Sequence, residues 1–202
     1  MNGNSHFIYG ATVGSMVALN IGLVSSVLPN VTNSPETATL LVMGGVLGGI
    51  FPDIDNPSSY MGRMSAPVST AIGAVNEVLG KKGANHRGIL HDPITYILGI
   101  VLSYFFFTPL IGFFIGCLSH LFLDMFNPKG IPFLFFKRVS LGKFKSGELG
   151  SIIFTWVNVI LCIGIGFAIR CLVWVFISIL ILIQLIVFTL MSNMMIKTKL
   201  KL

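Results

Sequence analysis

The run Leu110-Ile-Gly-Phe-Phe-Ile-Gly-Cys-Leu-Ser-His-Leu-Phe-Leu-Asp-Met-Phe126 is apolar until its last turns, where His120 and Asp124 appear. A membrane-crossing helix needs about 20 predominantly apolar residues, so this run reads as a span. In a helix, positions i and i+4 lie on one face, and His120 and Asp124 would therefore point the same way. An ionisable pair inside a span is costly and marks a functional site.

The same pattern repeats outward from this run. Apolar segments cover about Phe7 to Leu28, Thr37 to Phe51, Pro93 to Phe107, Ser151 to Ile169 and Cys171 to Met191. Hydrophobic residues make up 54% of the chain and charged ones only 10%, against about 25% charged in an average soluble domain. The fold class expected is an all-α membrane protein. It would be a bundle of about six transmembrane helices with an amphipathic helix on the cytoplasmic face. That helix is expected at Ser65 to Leu79, where Val68, Ile72, Val75 and Leu79 recur at helical spacing. One integral domain would cover residues 1–202, with a metal-site core at 5–150 and a helical hairpin, turning at Arg170, at 151–195. Cys117, Cys162 and Cys171 all lie in apolar runs and form no CxxC, so they read as small core residues. The N-terminus lacks a basic leader region, and no cleavable signal peptide is expected.

The net charge is +6, yet its distribution argues against nucleic acid. Arg63, Lys81, Lys82 and Arg87 fall between spans two and three, five more basic residues between spans four and five, and three in the tail. Arg170 alone falls on the other side in this arrangement, and the positive-inside rule makes the basic side, with both termini, cytoplasmic. This topology carries a further expectation. His6, Asp53, Asp55, His86, His91, Asp92, His120, Asp124 and Glu148 all come to the cytoplasmic ends of their spans.

Three motifs hold most of these groups. Phe51-Pro-Asp-Ile-Asp-Asn-Pro57 places two carboxylates in a proline-stiffened turn, fit to face a cation or to cap a helix. Asn85-His-Arg-Gly-Ile-Leu-His-Asp92 has two histidines five apart, which converge only if Gly88 turns the chain. Asp92 would ligate or orient an imidazole, and Arg87 would hold an anionic oxygen or anchor a lipid headgroup. The third motif is the run from Gly116 to Asp124. His6 and Glu148 are weaker signals; Glu148 serves equally as a first-turn carboxylate on a helix N-terminus or as a general base.

In this order the motifs resemble the YdjM-like family, described as LexA-regulated, membrane-bound proteins predicted to be metal-dependent hydrolases. The resemblance rests on Ser5-His6, on Phe51 to Pro57 with Ser59 to Gly62, on His86-Arg-Gly-Ile-Leu-His91, on Leu118-Ser-His-Leu-Phe-Leu-Asp124 and on Pro128-Lys-Gly-Ile-Pro132. It covers roughly residues 5–150; the last two spans match by hydropathy alone. The family often carries Ser or Thr where this chain has Asp92. The resemblance implies a bacterial inner-membrane location. The family in turn looks distantly similar to zinc-dependent phospholipase C and P1-type nucleases, which implies phosphoester chemistry.

The reading expected from residues and resemblance together is a hydrolase at the cytoplasmic membrane face. His6, His86, His91, His120, Asp53, Asp55 and Asp124 would hold one or more divalent ions, zinc first. Arg87 would bind the substrate's anionic oxygen, and Asp92 or Glu148 would take a proton. The partners expected are membrane lipids, with a phospholipid or lipid-linked phosphate as substrate. One rival is a metal or proton transporter, which needs polar groups at mid-membrane, where Asn20 and Asn158 are the main candidates. The other is a scaffold with a structural metal.

Overall fold

A computed structural model describes residues 2–78, 88–133, 137–142 and 144–199. The chain is mostly helical. It forms two compact units, residues 1–166 and residues 167–202. In the first unit the helices are α1 (Gly3–Leu19), α2 (Ile21–Val27), α3 (Pro35–Ile50), α4 (Tyr60–Met64), α5 (Ala66–Val78), α6 (Pro93–Phe106), α7 (Ile111–Met125) and the start of α8 (Leu149–Lys199). Three 3-10 turns join them, at Phe51–Asp55, Ile89–His91 and Thr108–Leu110.

Local chemistry sets the helix ends. Asn2 caps α1 by accepting from the Ser5 N–H, and Ser34 caps α3 with Pro35 in its first turn. Such side-chain acceptors satisfy amides that have no partner inside the helix. The Ser34–Pro35 start extends α3 two residues ahead of its apolar run. The first span is broken: α1 and α2 meet at 70° around Asn20. The Asn20 amide donates to the Met16 carbonyl at 2.9 Å and to the Gly166 carbonyl at 3.1 Å.

Helices α1, α3 and α7 form the centre, and glycine makes their packing possible. A Cβ on Gly45 would lie 2.6 Å from the Gly10 carbonyl oxygen and 2.8 Å from Gly14 Cα. One on Gly116 would lie 2.5 Å from the Gly45 oxygen, and one on Gly112 2.7 Å from Leu41 Cα. Small residues let helix backbones touch inside a membrane, where water does not drive helices together. Helix α6 joins α7 differently. Tyr96, Gly99 and Ser103 turn inward, and a Cβ on Gly99 would meet the Phe114 ring rather than backbone. Ile97, Leu98, Val101, Leu102 and Phe105 face outward, as suits a lipid-facing helix.

Among the described residues, three helical stretches are long and apolar enough to cross a membrane: Pro35–Asp55, Thr108–Met125 and Leu149–Gln184. The bent α1–α2 pair makes a fourth if it counts as one span. Six were expected. Helix α6 has only 14 residues, about 21 Å at 1.5 Å per residue, and α8 passes through Arg170 without the expected hairpin. Arginine is a good helix former, so one arginine between apolar runs does not end a helix. Within residues 167–202, α8 exposes apolar side chains such as Leu172, Trp174 and Phe176.

The basic loop expected at 127–149 contains a short hairpin, β1 (Ile131–Phe133) and β2 (Lys137–Val139), with Ile131 opposite Val139. Gly130 turns the chain into it at φ +58°, where a Cβ would collide with the Val139 carbonyl.

Candidate metal centre

Four separate chain segments meet at one end of the α1–α3–α7 centre. His6 comes from the first turn of α1. Asp53 and Asp55 come from the 3-10 turn that follows α3, with Pro52 at its start. His91 ends a second 3-10 turn just ahead of α6, and α7 contributes His120 and Asp124. His6, Asp55, His91, His120 and Asp124 are each at most 1% exposed. The Asp53 side chain, at 19%, is the accessible member.

The distances define a compact ligand set. His120 Nε2 lies 3.6 Å from Asp53 Oδ1 and 3.9 Å from Asp124 Oδ2. His91 Nε2 lies 3.8 Å from the same Asp53 oxygen and 3.9 Å from the same Asp124 oxygen. His6 Nε2 approaches the other Asp124 oxygen at 3.4 Å, and its ring stacks on His120 with centroids 3.6 Å apart. Two triads with metal-ligating geometry result, His6–His120–Asp124 and Asp53–His91–His120.

Hydrogen bonding fixes the tautomer of His120. Its Nδ1 lies 2.8 Å from the Gly49 carbonyl oxygen. A carbonyl only accepts, so Nδ1 carries the proton and donates. In the neutral ring Nε2 is then a lone pair, buried and without a hydrogen bond, facing two carboxylate oxygens. A lone pair aimed at anionic oxygens is repulsive unless a cation lies between them. Four N and O ligands at ~2.0–2.2 Å from one tetrahedral zinc are separated by about 3.3–3.6 Å. The observed 3.6–3.9 Å gaps among His91, His120, Asp53 and Asp124 are a few tenths of an ångström wider. The donor set thus fits a divalent cation. It also fits the charge, since Asp53 and the buried Asp55 and Asp124 face imidazoles that are neutral when they ligate.

Asp55 stands behind this set. Its Oδ2 lies 3.4 Å from His91 Nδ1 and accepts from the Gly88 N–H at 3.3 Å. This is the carboxylate–histidine arrangement that orients a ligand ring and raises its basicity. The sequence reads Asp55 as a ligand; its carboxylate lies against His91 Nδ1 and belongs to neither triad. Burial favours the neutral form of His91, but hydrogen bonding to Asp53 and Asp55 and the charges of Asp55 and Asp124 outweigh it. Its pKa rises to about 9.

The remaining candidates divide. Asp92 is buried, but its Oδ1 caps α6 by accepting from the Ile94 N–H at 3.1 Å, and it belongs to neither triad. Glu148 is exposed beside Lys145, 3.9 Å away, at the start of α8. Its place just before that helix matches the dipole-facing alternative read from the sequence. His86 and Arg87 lie outside the described residues. Sequence reasoning missed the Gly49 carbonyl, since a backbone acceptor leaves no signature beyond the local glycine pair. It also missed Ser69, whose buried hydroxyl makes no hydrogen bond, whereas Ser65 and Thr70 on either side bond back to carbonyls one turn earlier.

Comparison with known proteins agrees with the motifs. No solved structure matches the chain. The inner membrane protein YdjM of Escherichia coli (strain K12) is 28% identical over 107 residues, covering 46% of this chain and 48% of that protein. The YdjM of Shigella flexneri matches to the same extent. The matched stretch therefore spans about half the length of these curated relatives. The family model described as YdjM inner membrane protein covers residues 1–196, past the limit of the motif resemblance and through most of α8. By this match the chain belongs to the YdjM inner membrane protein family.

Proposed function

We propose that this protein is a metal-dependent hydrolase working at the cytoplasmic face of the bacterial inner membrane on a phosphoester, such as a phospholipid or lipid-linked phosphate. The observation that carries the reading is the bare Nε2 of His120 facing Asp53 and Asp124, with His91 completing the set. His91, His120, Asp53 and Asp124 would hold the ion, and imidazole with carboxylate suits zinc or another first-row metal. Bound there, the metal would supply Lewis acidity, activating a water near neutral pH and drawing charge from a phosphoryl oxygen.

The chain's own residues supply the rest. The Gly49 carbonyl and Asp55 hold the His120 and His91 rings at fixed angles. His6 holds the outer oxygen of Asp124. Asp53 forms the mouth, because its side chain alone among the described carboxylates of the set is reachable from outside. Arg87 would bind an anionic oxygen of the substrate. Arg63, Lys129 and Lys145 adjoin the segments at the cluster end, and such basic flanks favour the cytoplasmic side.

A transporter gains little support. The Asn20 amide donates to two backbone carbonyls, and the Asn158 amide donates to the Phe154 carbonyl. One observation favours a structural metal instead: four protein ligands are what a closed zinc site uses. Metal analysis of purified wild-type protein, His120→Ala and Asp124→Ala separates these readings when joined to a phosphoester screen. The expected result is about stoichiometric metal and turnover in the wild type and neither in the variants. Full metal content in a doubly substituted protein, or turnover by metal-stripped protein, would overturn the proposal; metal without turnover on any phosphoester would favour the structural role.

A further inference from the structure

An open cavity of about 390 Å³ runs along α5, walled by Pro67, Val68, Ala71, Ile72, Val75 and Leu90. None of these side chains is polar. Leu90 belongs to the 3-10 turn that ends in His91, and the Tyr96 hydroxyl donates to its carbonyl. One wall of the groove is therefore covalently joined to the metal centre. The other wall, α5, packs against the turn that carries Asp53 and Asp55.

We propose that this groove is the acyl-chain subsite of the hydrolase, holding one hydrocarbon chain of a membrane lipid while the lipid's phosphoester reaches the metal centre. The inference rests on the reading of the site as a phosphoesterase and names what selects its substrate. A pocket for a compact polar molecule carries a few placed polar groups, and this one has none. An extended peptide would bring backbone amides that these walls leave unpaired. A hydrocarbon chain demands no hydrogen bond. Because α5 packs against the turn that carries Asp53 and Leu90 directly precedes His91, the head and tail of a single lipid would reach both places.

The groove is open to enlargement of its walls. Val68 and Val75 are 48% and 51% exposed, so Val75→Trp and Val68→Trp fill the cavity without invading the core. The full-length protein, loaded with zinc in nanodiscs, is mixed with a phosphatidylglycerol carrying a photoactivatable diazirine near the end of one acyl chain. Crosslinked residues are then mapped by mass spectrometry. Saturable labelling of residues 67–75 and Leu90 is expected in the wild type. In either variant it should fall at least tenfold, while labelling of the outward face of α6 and the metal content stay unchanged. Labelling of the groove that is absent, or that Val75→Trp and Val68→Trp leave intact, overturns the proposal; the first outcome would mean that the groove is filled by the chain itself.

A kinetic arm uses monomeric phosphoesters of increasing chain length. Moving a methylene from water into an apolar site changes affinity by about fourfold, so wild-type kcat/KM should climb by about that factor per methylene, and the slope should flatten in the variants. Equal slopes in wild type and variants also overturn the subsite. Absence of turnover on every phosphoester sinks the functional reading instead, and the crosslinking result still decides what the groove binds.

Discussion

Helix α7 packs on α3 and on α6, and it meets these two in different ways. Against α3, glycines bring backbone onto backbone: Gly112 and Gly116 leave no room for a methyl group beside Leu41 and Gly45. Against α6, Gly99 meets the edge of the Phe114 ring, a side chain that can swing aside. The first seam has no slack, and the second has some. This difference matters because the glycine-packed faces of α3, against α7 and against α1, position the candidate ligands His120 and Asp124 and the adjoining His6. Asp53, Asp55 and His91 instead ride on short turns, held by side-chain and backbone hydrogen bonds.

The strongest way to break the comparison is Gly45→Ala. Its Cβ would meet the backbone of α1 at 2.6 and 2.8 Å, which only helix separation can relieve. Overpacking of this kind costs about 1–3 kcal/mol or more. The expected outcome is a large loss in resistance to SDS unfolding, with metal content falling alongside. If stability drops while metal content holds, the rigid seam is not what places the ligands.

The turn-held arm is tested by Asp55→Asn. The fold should survive, and metal affinity measured by chelator competition should fall about 10- to 100-fold, the usual effect of removing a carboxylate behind a ligand histidine. An unchanged affinity would remove Asp55 from the site.

Acidity sharpens the same arm. His91 has its pKa raised to about 9, against an ordinary histidine value of 6.5. In metal-stripped protein its stabilising contribution is therefore complete below about pH 6.5 and is lost as pH rises through about 9. Metal binding needs the neutral ring, so affinity should climb with pH over the same window. Thermal unfolding of the stripped protein and zinc titrations at pH 6.5, 7.5 and 9 check both directions.

The smallest effects come from the glycines with slack. Gly99→Ala should cost less than about 1.5 kcal/mol if the Phe114 ring yields. Gly73→Ala has nothing within 4 Å of its new methyl group and should add about 0.5–1 kcal/mol, as an exposed helical glycine-to-alanine change does. A destabilising Gly73→Ala would mean that α5 has a partner on that face.

Much of this arrangement was legible in the sequence. The convergence of His6, Asp53, Asp55, His91, His120 and Asp124 follows from their places at the boundaries of apolar runs, because antiparallel helices bring alternate boundaries to one end. Roles within the cluster were not legible. Whether Asp55 ligates or orients depends on a 3-10 turn of five residues, and turn geometry is not written in hydropathy. Asp92 was read as a possible proton acceptor, although an aspartate followed by proline at a helix start is also a cap signal, and the structure shows the cap. The same limit explains Asn20, where an asparagine inside an apolar run gave no warning of a 70° bend. At Arg170, charge was taken for a boundary that the helix ignores.

Gly49 links packing to chemistry in a way that bears on biogenesis. Its backbone lies so close to α1 that a side chain would strike the His6 carbonyl, and its own oxygen orders the His120 ring. The three helices concerned leave the ribosome at different times, and the centre has no complete form until all three have inserted and closed on one another. Any metal uptake would thus be a late, all-or-none event in the life of the chain, and a bound ion would act as a latch on an assembled bundle. An intermediate that lacks α7 would lack His120 and Asp124, and so would have neither the ligand set nor the latch.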